Sequence, residues 1–245
     1  MRTNDYSPAM PTPVHAAARR LEGHLVATPV IGDLCLPGFQ VSAAVRVKAE
    51  CLQTAGSVWY RGYLHYLLHS LGSYKGLIVH GEPRVILAQA LAGVVHRLPM
   101  VAVTAGLPAD IGLIVAGTGC EVVVAEDAEV VAGERARDTG FQLAAGIEDP
   151  AVRSGVATLG LELATELPAD VSRVVITDGA CAEAVSAGFD AAERECDVVV
   201  VPAGEIPRGW RDAVVRGLRL VPDEPSVAAL HHVAMQDRPT CIVLS

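Results

Sequence analysis

The chain has 245 residues, 51% of them hydrophobic, enough to bury a full core in one large domain or two small ones. A net charge of −9 with only 19 basic residues lacks the clustered Lys and Arg of a polyanion binder, which argues against nucleic acid as a partner. No run approaches the roughly 18 apolar residues that cross a bilayer, and Met1 to Pro13 has no apolar signal core, so the sequence reads as a soluble cytoplasmic protein with no membrane partner.

Residues 1–13 place Pro8, Pro11 and Pro13 among polar residues and are expected to form a flexible arm. Short apolar runs then alternate with helical segments. Strands are expected at Val45 to Glu50, Gly76 to His80, Met100 to Thr104, Glu121 to Ala125, Arg173 to Thr177, Asp197 to Pro202 and Thr240 to Leu244. They are rich in Val and Ile and apolar on both faces, as in a parallel sheet covered by helices. The Ala-rich segments Ala88 to His96, Glu126 to Thr139 and Glu162 to Glu166 supply helices between them. That alternation predicts an α/β architecture of parallel twisted sheets with helices on both faces.

Some features carry little chemistry. Six scattered cysteines with no Cys-x-x-Cys pair fit reduced thiols rather than a disulfide framework or zinc site. His65 and His69 share a helix face at metal-pair spacing, yet no acidic partner follows in a zincin-like pattern, and no metal is expected. Gly117-Thr118-Gly119 precedes a strand instead of following one, so it is no dinucleotide fingerprint.

The run Leu52-Gln53-Thr54-Ala55-Gly56-Ser57-Val58-Trp59-Tyr60-Arg61-Gly62 resembles the segment that carries the Schiff-base lysine in fold type II pyridoxal phosphate (PLP) enzymes, the threonine dehydratase, serine racemase and tryptophan synthase beta-like family. Further matches occur in order: Thr28-Pro29, Lys48 with Glu50, Gly119 to Val123, Glu148-Asp149-Pro150, Gly155 to Thr158 and Leu161-Glu162-Leu163. The resemblance implies two domains with an interdomain cleft, a small one at 76–147 set into a large one made of 14–75 and 148–245, and a homodimer. It also places Trp59 on the lysine, and an indole cannot form an imine.

The other cofactor elements that the resemblance implies are altered too. Only two lysines exist, Lys48 on a strand and Lys75 in a turn, and neither is a credible substitute. The phosphate-binding glycine run falls on Asp178-Gly179-Ala180-Cys181-Ala182-Glu183-Ala184, where Asp178 and Glu183 add carboxylates that repel phosphate. The substrate loop falls on Gly81-Glu82-Pro83-Arg84-Val85, and the pyridine-partner serine on Ser245. No cofactor is therefore expected, and PLP binding is read as lost.

His80, at the end of a strand where open α/β sheets place ligands, is a candidate acid or base beside Glu82 and Asp178; its bland alternative is a hydrogen-bonded loop histidine. Ser57, Trp59, Tyr60, Arg84, Cys181 and Glu183 are candidate substrate-binding residues. Trp59 either plugs a vacated cavity or stacks on a planar substrate. Glu82 and Arg84 are either site residues or a surface ion pair. Two readings of function follow: PLP-independent acid/base chemistry of the lyase, cyclase or isomerase type on a small metabolite, or a non-catalytic pseudoenzyme that stabilises or regulates a partner protein. A ligand-binding sensor is a third.

Overall fold

The computed structural model describes residues 12–32, 34–42, 44–70, 74–201, 208–220, 222–234 and 239–244. Most of the expected N-terminal arm, and Ser245, lie outside these residues. Pro13, expected in the arm, instead opens helix α1 (Pro13–Leu21), with the Thr12 hydroxyl accepting from the His15 N–H at 3.3 Å. Proline suits that first helical position because its fixed φ is helical and its missing N–H has no partner there anyway.

Two sheets form the frame. The first has the order β1-β2-β9-β7-β8, from β1 (Val30–Ile31), β2 (Val45–Lys48), β7 (Arg173–Ile176), β8 (Asp197–Val200) and β9 (Thr240–Val243). Its strands run parallel except β1, which pairs antiparallel with β2. The second has the order β5-β4-β3-β6, all parallel, from β3 (Leu77–His80), β4 (Met100–Thr104), β5 (Glu121–Val124) and β6 (Gln142–Leu143). The second sheet is built from a continuous stretch of chain, and the first draws strands from both sides of it.

The seven expected strands are present, ending at most two residues early. β1 and β6, with two residues each, are too short to show a period in the sequence. β5 and β8 correct the expectation of strands covered on both faces: they are edge strands, and Val122, Val124 and Val200 are exposed. Among the described residues no helix is long and apolar enough to cross a membrane.

Helix α2 (Trp59–His69) is central, with every residue from Trp59 to Leu67 buried. It packs on α6 (Pro150–Glu166), which in turn crosses α7 (Gly179–Ala191). That second crossing depends on Gly160 and Gly188, since a Cβ on either would lie 2.1 Å from a carbonyl oxygen of the facing helix. The two backbones therefore touch directly, as only glycine permits. The helix expected at Glu162 to Glu166 is only the last turn of α6, and the loop expected at Gly81 to Val85 runs into the start of α3 (Pro83–Val95). Arg84 and Val85 thus sit in the first turn of a helix.

One face of α2 is fixed by buried charge. Arg61 donates to both Glu50 carboxylate oxygens, at 2.9 and 2.8 Å, and to Glu162 at 2.7 Å. Lys48 pairs with Glu162, with Glu166 at 2.7 Å, and with the Thr28 carbonyl at 2.7 Å, while the Thr28 hydroxyl donates to Glu50 at 2.5 Å. Lys48 and Glu50 are fully buried, a costly placement that complete pairing offsets.

Candidate functional site

Three helices begin at one end of the sheets, where β3 stops at His80 and β7 at Ile176. They are α2 at Trp59, α3 after Glu82 and α7 after Asp178. Gly56, with φ +61, turns the chain into the segment leading to α2, and the Ser57 hydroxyl accepts from the Trp59 N–H at 3.3 Å. The indole is 7% exposed and lies between two cavities of ≈ 280 and ≈ 380 Å³. Trp59, Glu82, Val85 and Asp178 border both. The side chain therefore divides the cleft without filling it.

The smaller cavity is lined by Tyr63, His80, Gln89 and a turn at Ala145-Gly146-Ile147 as well. His80 is half-buried, and its Nε2 lies 3.3 Å from the Ala144 carbonyl oxygen. A carbonyl only accepts, so that hydrogen bond puts the proton on Nε2 and leaves Nδ1 as the basic nitrogen. The His80 backbone N–H donates to the Gln89 side-chain oxygen at 2.9 Å. Tyr63 and Gln89 are each 1% exposed and form the floor. The Tyr63 hydroxyl makes no well-formed hydrogen bond among the described residues, although the Gln89 side chain is near enough to act on it as a hydrogen-bonding neighbour. Burial pushes its pKa up to about 12, the neighbouring Gln89 acting against this, so the phenol stays protonated.

The larger cavity adds Ser57, Arg84, Thr177, Cys181 and Asp223. Arg84 donates to the Gly56 carbonyl at 3.2 Å and lies 3.7 Å from the Asp223 carboxylate, so its ion-pair partner is Asp223 and not the expected Glu82. Burial, reinforced by Asp178, holds the Cys181 thiol well above its ordinary pKa, which keeps it from acting as a thiolate.

Asp178 lines both cavities and also caps α7, its carboxylate accepting from the N–H groups of Ala180 at 2.9 Å and Cys181 at 3.2 Å. A helix N-terminus is an anion site; here the protein's own carboxylate already occupies those amides. Glu183, expected beside it, lies one helical turn further on and faces solvent, its side chain 69% exposed and paired with Arg153 at 2.7 Å. Tyr60 is likewise corrected: it is buried and borders neither cavity, because one residue after Trp59 the helix has turned by about 100°.

The expected residues Ser57, Trp59, His80, Glu82, Arg84, Asp178 and Cys181 thus meet in the cleft. Sequence reasoning missed Tyr63, Gln89 and Asp223. Neither lysine reaches the cleft: Lys48 is held on the other side of α2, and Lys75 is exposed ahead of β3. Among the described residues no group of three or more His, Cys, Asp or Glu side chains is placed to hold a metal ion. His65 is spent on the Ala151 carbonyl at 2.8 Å and on the stacked His69 ring.

No protein-family model and no curated protein matches the chain. Among solved structures it is similar to a pyridoxal 5'-phosphate-dependent aspartate racemase, with TM-score 0.76 and 18% identity over 95% of this chain and 94% of that one. Maize serine racemase matches with TM-score 0.72 and 17% identity over 95% and 91%. A threonine deaminase from T.th. matches with TM-score 0.72 and 20% identity over 95% and 96%. At such identities the likeness is one of architecture, and the chain has the α/β fold of the fold type II PLP-dependent enzymes.

Proposed function

We propose that this cleft has given up PLP and serves cofactor-independent acid/base chemistry, of the lyase, cyclase or isomerase type, on a small metabolite. The observation that carries the reading is the buried indole at the head of α2, with both lysines outside the cleft. The capping of α7 by Asp178 supports it, because the backbone donors that would cradle a phosphate are taken. His80 is the base through Nδ1, and Glu82 and Asp178 orient a substrate and stabilise charge beside it. Cavities on both sides of Trp59 leave room for a ligand.

Two measurements test this. Added PLP is expected to give no visible imine absorbance, and native mass spectrometry of protein purified gently from its own host is expected to reveal a small molecule released on denaturation. A stoichiometric imine would overturn the reading. Once the released compound supplies a substrate, His80→Ala is expected to abolish its turnover with the fold intact.

A second reading, a non-catalytic protein that stabilises or regulates a partner, rests on a separate surface. Leu113 and Ile114 on α4 (Ala109–Gly117) and Val122 and Val124 on the edge strand β5 are each exposed. Exposed apolar side chains at a sheet edge are the kind of surface a partner covers. A stoichiometric second polypeptide in the same mass spectrum, with no small molecule, would favour it.

A further inference from the structure

We infer that the smaller cavity takes a compact organic cation without a carboxylate, its ammonium held at the mouth by Glu82 and Asp178 and a polar group at its far end meeting the Tyr63 hydroxyl. This rests on the reading that the cleft binds a small metabolite in place of PLP. Two independent observations lead to it.

The first is the buried hydroxyl. Tyr63 is 1% exposed, lines the cavity, and makes no well-formed hydrogen bond among the described residues, its one polar neighbour there being the Gln89 side chain. Buried polar groups are almost always hydrogen-bonded, and an exception marks a place where a bound atom supplies the missing partner. A ligand hydroxyl or carbonyl oxygen accepts from it, and the Gln89 side chain lies alongside.

The second is the arrangement of charge with depth. Tyr63 and Gln89, which line the cavity, are buried and neutral, His80 is half-buried, and the carboxylates belong to exposed Glu82 and half-buried Asp178. Arg84, the guanidinium that the described residues bring to the cleft, borders the other cavity and is committed to Gly56 and Asp223. A ligand carboxylate entering here meets two like charges, and an ammonium meets two opposite ones. Size follows from volume: ≈ 280 Å³ is the liquid share of roughly nine waters, room for a body of about ten non-hydrogen atoms.

Three matched probes separate the features by titration calorimetry on the full chain: tyramine with an ammonium and a hydroxyl, phenethylamine with the ammonium alone, and 4-hydroxyphenylacetate with a carboxylate in place of the amine. Tyramine is expected to bind at least about tenfold tighter than 4-hydroxyphenylacetate and about two- to tenfold tighter than phenethylamine. Tyr63→Phe is expected to erase the second ratio while leaving phenethylamine unchanged. Glu82→Gln, at an exposed position that does not endanger folding, is expected to weaken both amines and to shrink the first ratio. An acid that binds as well as the amine, a hydroxyl advantage that survives Tyr63→Phe, or no amine binding at about 10 mM would overturn the inference. Imine formation with added PLP would instead strike the cofactor-free reading on which it rests.

Discussion

The two faces of α2 are held in opposite ways. Arg61 looks into a buried polar network, with Thr28, Lys48, Glu50 and Glu162, in which every member is paired. Trp59 and Tyr63, four residues apart and so on one face, line a cavity. The comparison teaches that position and chemistry are specified separately. A buried ion network cannot lose one member cheaply, so it keeps the helix in place, whereas a cleft bordered by solvent can exchange its groups one at a time.

Arg61→Ala tests the rigid side and carries the largest expected effect. It strands the fully buried Glu50 carboxylate with only the Thr28 hydroxyl, and a cost of about 3–5 kcal/mol in urea unfolding at neutral pH is expected. A loss under about 1 kcal/mol would break the comparison. Acid sharpens it. Burial pulls the Glu162 pKa up, but Arg61 and Lys48 outweigh that and hold it below the ordinary carboxyl value. A carboxyl depressed in the folded state stabilises above its unfolded pKa and loses that contribution as pH falls through its folded value. The gap between wild type and Arg61→Ala should therefore narrow below about pH 4. A constant gap from pH 7 to pH 3.5 would show that the network is held by packing and not by charge.

How much of this was legible in the sequence divides along the same line. Strand interiors announce themselves as Val and Ile runs, and Lys48-x-Glu50 and Arg61-Gly62 mark the network, so the frame could be read. The cleft was legible in part: seven of the nine candidate residues border it, and Tyr60 and Glu183 fall outside because the geometry there is helical. With Asp178 as cap and α7 starting at Gly179, the 3.6-residue period turns Cys181 inward and Glu183 outward. The same period applied to α2 separates Tyr60 from Trp59 and brings in Tyr63, a signal that was present. Gln89 inside Leu87-Ala88-Gln89-Ala90-Leu91 was a second available signal, since a buried amide in an apolar helix needs a partner. Asp223 had none: its place beside Arg84 is set by the packing of a distant segment.

Asp178 and Glu183 turn the contrast into a measurement within a single helix. Asp178→Ala removes the cap of α7 and is expected to cost about 1 kcal/mol, and it also takes one carboxylate from the cleft, so the preference for amine over acid should fall with it. Glu183→Gln removes an equal charge one turn later. Its partner Arg153 keeps Glu148 at 2.8 Å, and the pair is exposed, so side-chain freedom and solvent screening leave little to lose. The change is expected to stay within about 0.5 kcal/mol in urea and to leave the amine-to-acid ratio unaltered. If Glu183→Gln moved that ratio as far as Asp178→Ala does, the selectivity would come from the summed field of an acidic surface, and the cavity bordered by Trp59 would hold no specific place for a cation.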